Sequence, residues 1–419
     1  MKTKAVRLYG KEDLRLEEFD LPEIKDDEIL ASVVSDSICM STFKAVEQGA
    51  DHKRVPNDCA TNPVIVGHEF SGEILKVGKK WEGKFKVGQK YAIQPAMSDG
   101  SVQAPGYSYG TIGGDSQYVI VSNRLIECGN LLPYEGEGFF PASLAEPVSC
   151  IIAGYHENYH SNYENHTHIM GIKKGGAVAI LAGAGPMGLS AVDYGVHGPM
   201  KPSIIVVTDI DDSRLNRAAE LLTVEDAEKN GVKLYYVNTS KYENPVEYMR
   251  SLTGGKGFDD VFVYAPVTPL VEQADALLGD GGCLNFFAGP IDHAFSAKVN
   301  FYNVHYAFTR ITGTSGGNTQ DMIESLELSG KNLINPAIMV THIGGLDSVI
   351  PTVLNLPNIK GAKKLVYTHI SMPMTAISDF EKLGETDPMF KKLDEICKKN
   401  NGLWSVEAEK YLLDNCKKI

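Results

Sequence analysis

Two groups of residues in this sequence have the types and spacing to do chemistry. The first is Gly183-Ala184-Gly185-Pro186-Met187-Gly188, which follows the apolar run Ala177-Val178-Ala179-Ile180-Leu181-Ala182 and opens a helical stretch. In that setting Gly183 permits a tight turn, Gly185 lets backbone approach a pyrophosphate, and Gly188 lets helix and strand pack closely, with Met187 on the same turn. The free N–H groups at the start of the helix favour phosphate. Asp209 closes the next apolar run, Ile204-Ile205-Val206-Val207, where an acidic side chain accepts from ribose hydroxyls and opposes a 2′-phosphate. NAD is therefore favoured, and Arg214 nearby keeps NADP open. The second group is Cys39, just after a strand-like run, and Gly67-His68-Glu69, just before another. Thiolate and imidazole are the usual donors to a catalytic zinc, which keeps one position open for substrate. Taken singly, such a cysteine is more often buried filler and such a histidine a satisfied core residue.

The elements that must position these groups differ along the chain. Through about residue 125 the sequence reads as short strands punctuated by glycine, among them Ile29-Leu30-Ala31-Ser32-Val33-Val34 and Gln117-Tyr118-Val119-Ile120-Val121. This texture predicts a barrel-like, antiparallel β domain. From 154 to 315 continuous apolar runs alternate with helical stretches, which predicts a doubly wound parallel sheet. The expected class is α/β, with a discontinuous catalytic domain (1–153 and 316–419) around a dinucleotide-binding domain (154–315). The last 50 or so residues read as polar helices packed through Phe380, Leu383, Phe390, Leu393 and Ile396, with a structural role only.

Composition narrows the function classes. The 419 residues are 43% hydrophobic and 22% charged, as in ordinary globular proteins of two domains. A net charge of -13 argues against nucleic acid as partner. No leader and no 18-residue apolar run is present, so no membrane association is expected. The seven cysteines are scattered without a CxxC pair, which is cytoplasmic usage. Assembly with further copies of the chain stays open.

Several motifs occur in order. Gly67-His68-Glu69-Phe70-Ser71-Gly72, then Val77-Gly78, then Phe85-Lys86-Val87-Gly88, resembles the GHExxG…VG…FxxGD signature of zinc-containing medium-chain dehydrogenases. Cys39-Met40-Ser41 resembles their C-x-[ST] segment, and Ala145-Glu146-Pro147-Val148-Ser149-Cys150 the EPLS segment of the polyol branch. Gly361-Ala362-Lys363-Lys364-Leu365-Val366 matches the closing strand, so the resemblance runs to about Tyr367. It implies Cys39 and His68 as zinc ligands, Glu69 as ligand or immediate neighbour, and Glu146 as a further carboxylate acting directly or through water. It also implies that Ser41 passes the substrate proton outward, toward Lys44.

The reaction implied is hydride transfer between a nicotinamide dinucleotide and a ketose or polyol, with zinc as Lewis acid. The long Cys39–Gly67 stretch, the Thr309–Gly317 segment and the C-terminal extension further resemble a sugar-phosphate-reducing branch. Lys44, His52-Lys53-Arg54 and Arg310 are the candidate phosphate contacts. Another sugar-alcohol dehydrogenase is the near alternative, and a non-catalytic redox sensor the remote one.

The chain departs from the family pattern at four points. Thr42 replaces the usual aspartate, and Lys44 replaces a common histidine. The four-cysteine lobe of a second, structural zinc is missing, which implies one zinc per chain. The helix after Glu146 carries an insertion with His156, His160, His166 and His168, expected to be solvated rather than metal-binding.

Overall fold

The computed structural model describes residues 1–290 and 292–419, which fall into two compact units. One unit comprises Met1–Glu146, Met322–Lys331 and Met339–Ile419; the other comprises Pro147–Asp321 and Asn332–Ile338.

The first unit is built around strand Ile29–Ile38. One edge pairs antiparallel with Phe70–Val77, and the register shifts twice along the pair. The other edge is shared. Its N-terminal half pairs with Tyr118–Val121 and its C-terminal half with the closing strand Lys363–Tyr367. Lys90–Ile93, Leu131–Tyr134, Val340–Gly345 and Thr375–Ala376 extend the sheet, while Lys2–Gly10, Asp13–Asp20 and Val64–Ile65 make a second, three-stranded one. Alternation packs Ile29, Ala31 and Val33 with Phe70, Ile74, Tyr91 and Val119 into one core cluster. Each Val, Ile or Phe among them contributes about 1.5–3 kcal/mol on burial. The helices Phe380–Leu383, Pro388–Lys399 and Val406–Asn415 complete this unit through buried Phe380, Leu393, Ile396, Trp404 and Leu412. Leu383 and Phe390 are half-buried.

The second unit holds a six-stranded, wholly parallel sheet. Its order is Lys233–Asn238, Ile204–Asp209, Ala177–Leu181, Phe258–Val263, Leu278–Phe286, Arg310–Gly313. Ala177–Leu181 is buried throughout, as a strand covered on both faces must be. The order of strands reverses beside it, which opens a crevice at its C-terminal end.

The His-rich insertion is a β-hairpin, Tyr159–Asn162 paired with Thr167–Met170, and not an extension of helix Ala145–Glu157. The second of these strands is exposed along its length, while the first is half-buried and lays His160 against Asp260. Among the described residues, no helix is long and apolar enough to cross a membrane.

Candidate active site

Strand Ile29–Ile38 ends one residue before Cys39, which has extended backbone and begins helix Met40–Gln48. His68 and Glu69 lie just before strand Phe70–Val77, the neighbour of that strand. Adjacent strands thus deliver the three side chains to one point. Their donor atoms all lie within 4.8 Å of one another. Gly67 and Gly106 set the approach behind them. Gly106 has φ +77, and a Cβ there would overlap the Gly67 carbonyl, so only glycine lets the 104–108 loop lie against the His68 loop.

Burial pushes the Cys39 thiol up and the His68 imidazole down, each toward its neutral form. Burial also pushes Glu69 up, but the Lys363 ammonium overrides this and holds the carboxylate below its usual range. Lys363 Nζ lies 2.5 Å from both Glu69 oxygens, and Ser37 Oγ donates to Oε2 at 2.5 Å. Thr42 Oγ1 is 3.2 Å from His68 Nδ1, on the far side of the ring from the cluster. The tautomer with Nδ1–H toward Thr42 leaves Nε2 as the donor to a cation. Where the family pattern has a carboxylate, this chain backs its histidine with a neutral hydroxyl.

Ser41 Oγ lies 3.1 Å from Cys39 Sγ and 3.2 Å from His68 Nε2. The Tyr107 phenol donates to Ser41 Oγ at 3.0 Å and lies 3.3 Å from His68 Nε2. Burial raises the Tyr107 pKa and keeps the phenol protonated. Glu146, in the first turn of helix Ala145–Glu157, stands outside the tight group of three, but its charge is felt by His68 and Lys363. Burial, then the nearby Glu69 charge, pushes Glu146 up to about 7. Behind the cluster, Asp36 Oδ1 accepts the Glu69 N–H at 3.2 Å, and fully buried Asp115 lies against Asp36. Burial raises both carboxyls, that of Asp115 to about 7.

A thiol, an imidazole and a carboxylate with an uncharged hydroxyl between them fit zinc: S, N and O donors in a water-poor pocket, with ordinary ionisation restored to the thiol by the cation. Among the described residues no second group of three or more such side chains converges.

In the second unit, Gly183 sits where a Cβ would strike Ile180 and Val207, and a Cβ on Gly188 would overlap Gly183 itself. Both glycines serve close packing. Gly185 differs: it starts helix Pro186–His197, and a Cβ there would meet only Ala182 O, at 4.0 Å. Open space beside bare backbone at a helix start fits a pyrophosphate. Ala182 takes left-handed φ +53 to enter this turn, a conformation costing an L-residue about 1–2 kcal/mol. Asp209 ends its strand with Oδ1 accepting Ile210 N–H and Asp211 N–H, at 2.8 and 3.1 Å. Arg214 turns to Asp211, 3.8 Å away, rather than to Asp209.

A family model described as zinc-binding dehydrogenase matches residues 186–331, and one described as the alcohol dehydrogenase GroES-like domain matches residues 25–128. The chain is 51% identical over 412 residues to mannitol-1-phosphate 5-dehydrogenase of Aliivibrio fischeri, covering 98% of this chain and 97% of that one. It is 47% identical over 418 residues to L-sorbose 1-phosphate reductase of Klebsiella pneumoniae, covering 100% and 98%. The chain belongs to the zinc-binding dehydrogenases. Its fold is also similar to that of 2R,3R-butanediol dehydrogenase from Bacillus subtilis, with TM-score 0.68 and 22% identity over 87% of this chain and 99% of that one. The α/β class and the motif-based family reading both stand.

Within a zinc-binding dehydrogenase, the remaining candidates separate clearly. Arg54 lies with its guanidinium 5.0 Å from the centre of the Tyr107 ring. Among the described residues it has no ion pair. Lys53 is exposed; Lys44 is half-buried on helix Met40–Gln48 with no hydrogen bond or ion pair to a described residue. Arg310 is committed elsewhere, donating to Gly281 O and Ser161 Oγ, both at 2.8 Å, and it anchors the hairpin. The four insertion histidines go separate ways. His156 pairs with Asp321 and His160 with Asp260, while His166 turns the hairpin with φ +58 and His168 packs its ring at a tilt against Tyr159. Sequence reasoning missed Tyr107, Lys363 and the Thr42–His68 contact. Glycine on both sides of Tyr107-Ser108-Tyr109 was the one available signal.

Proposed function

We propose that this chain reduces a ketose phosphate to a hexitol phosphate, L-sorbose 1-phosphate to D-glucitol 6-phosphate, with NADH as hydride donor. The observation that carries the phosphate reading is Arg54, a half-buried guanidinium without a carboxylate partner, held over the Tyr107 ring that touches Ser41 and His68. Buried cations are ordinarily paired, and a doubly charged phosphate is the anion a planar guanidinium grips best. Resemblance to a mannitol-1-phosphate 5-dehydrogenase and an L-sorbose 1-phosphate reductase supports a sugar-phosphate substrate.

Cys39, His68, Glu69 and Glu146 would hold zinc, which when bound polarises the substrate carbonyl as hydride arrives from the nicotinamide. Ser41 donates its proton to the substrate oxygen and takes one back along a relay through the cofactor ribose and Lys44, while Tyr107 hydrogen-bonds behind it. Glu69 is kept ionised by Lys363 and turned by Ser37, so it does not compete for that proton. Gly183, Gly185, Met187 and Gly188 cradle the pyrophosphate, and Asp209 takes the ribose hydroxyls. Mannitol 1-phosphate is the second reading, favoured by the 51% identity to its 5-dehydrogenase.

The test compares L-sorbose 1-phosphate, mannitol 1-phosphate and the corresponding free sugars in the wild type and in Arg54→Gln. A charge-assisted contact of roughly 1.5–3 kcal/mol predicts a rise in KM of about ten- to a hundredfold for phosphorylated substrates alone. Equal efficiency of the wild type on free and phosphorylated sugars would leave a plain polyol dehydrogenase.

A further inference from the structure

The C-terminal extension carries a buried carboxylate that the proposed reaction does not use. Glu409, on helix Val406–Asn415, is 2% exposed. Its Oε1 accepts the Phe139 N–H at 2.6 Å, and its Oε2 accepts the Phe140 N–H at 2.8 Å and the Tyr367 hydroxyl at 2.9 Å. Trp404 Nε1 donates to the same Tyr367 hydroxyl at 2.7 Å. Gly138 has φ +68, and a Cβ there would come within 2.8 Å of Glu409 Oε1, so the chain is shaped to admit this carboxylate.

What Glu409 grips explains its place. Phe139 and Phe140 begin the short helix Phe140–Ser143, whose first N–H groups have no acceptor within the helix and no local side-chain cap. That helix is buried along its whole length and runs through Leu144 and Ala145 directly into Glu146. The Phe139 carbonyl is fixed as well, accepting from Ser71 Oγ at 2.6 Å, and Ser143 Oγ meets Ser35 Oγ at 2.9 Å. Tyr367, the third partner, ends the strand that Lys363 begins, and Lys363 grips Glu69. One carboxylate thus ties the lead-in to Glu146 to the strand that carries the Glu69 counter-ion.

We propose that Glu409 is a positioning residue for the metal site, setting where Glu146 and Lys363 stand. The inference rests on the reading of Glu69 and Glu146 as carboxylates of that site. It gives the C-terminal helices a role beyond packing.

The test is zinc release from the full-length, zinc-loaded protein to a chromogenic chelator, in Glu409→Gln, Trp404→Phe and Glu146→Gln, with thermal unfolding of each. Glu409→Gln keeps the shape but removes the charge and one acceptor, and should speed release on the order of tenfold, the usual scale for residues backing a metal site. Trp404→Phe disturbs the same packing while sparing the Phe139 and Phe140 bonds. It should lower Tm and change release less than about twofold. If Glu409→Gln lowers Tm with release unchanged while Glu146→Gln accelerates it, Glu409 only packs and the proposal fails. If Glu146→Gln leaves release unchanged, the reading of Glu146 fails and takes the proposal with it. The wild type supplies a measurement that survives a misfolded variant. Metal and clamp must stabilise each other reciprocally, so the Phe139 and Phe140 amides should exchange more slowly in zinc-loaded than in zinc-free protein. Equal exchange in both forms overturns the coupling.

Discussion

Lys363 Nζ is equidistant from the two carboxylate oxygens of Glu69, 2.5 Å from each, and the carboxylate is fully buried. Removing one partner of such a pair leaves an uncompensated buried charge, at a cost of about 3–5 kcal/mol. In Lys363→Met a zinc ion beside Glu69 can supply the missing positive charge. The expected result is a large fall in Tm for zinc-free protein and a clearly smaller one for zinc-loaded protein. Equal falls would mean that ammonium and metal do not share the carboxylate.

Tyr107 packs its ring against His68, with centroids 4.8 Å apart, and sends its hydroxyl to Ser41. Tyr107→Phe preserves the stacking and removes the donor. Turnover should drop by about tenfold, in proportion to one hydrogen bond of ~1 kcal/mol or slightly more, with zinc content unchanged. Unaltered kcat would take Tyr107 out of the proton path.

Asp209 closes its strand half-committed to the turn that follows, with Arg214 directed away from it. Asp209→Ser should therefore weaken NADH use and improve NADPH use, measured as the ratio of kcat/KM for the two cofactors. A wild type that already prefers NADPH strongly would contradict the role given to this carboxylate.

His197 bridges helix Pro186–His197 to helix Val224–Lys229, with Nδ1 2.7 Å from Asp193 and Nε2 2.8 Å from Asp226. The hydrogen bond to Asp193, opposed by burial and reinforced by the charges of Asp193 and Asp226, raises its pKa to about 9. A pKa raised on folding contributes stability that is complete below the unfolded value of ~6.5 and fades as pH climbs through about 9. Thermal unfolding across pH 6 to 9.5 should show this decline in the wild type and a flatter profile in His197→Gln. Superimposable profiles would rule out a charged imidazole here.

The parts of the site that sequence made legible are those fixed by local spacing. Cys39 and Ser41 are two residues apart, His68 and Glu69 adjacent, and the glycine turn follows a run so apolar that only a strand buried on both faces suits it. Lys363 could not be told from Lys364 in this way. Which of the two meets Glu69 depends on alternation along a strand whose register pairs Lys364 with Ile38. The structure sends Lys364 instead to the carbonyls of Ile359 and Ala362. Tyr107 and Glu409 are hidden for the same reason, their partners lying 39 and 270 residues away. The insertion misled because His160 and Ser161 sit in a polar hairpin with none of the apolar alternation that marks a strand.

The divided edge of strand Ile29–Ile38 sets a timetable for biosynthesis. Half of that edge is satisfied by Tyr118–Val121, soon after the strand leaves the ribosome, but the half leading to Cys39 waits for Lys363–Tyr367. Glu69 waits equally long, because its counter-ion is made 294 residues later. A nascent chain therefore holds the thiol of Cys39 and an uncompensated carboxylate at an open sheet edge through most of translation.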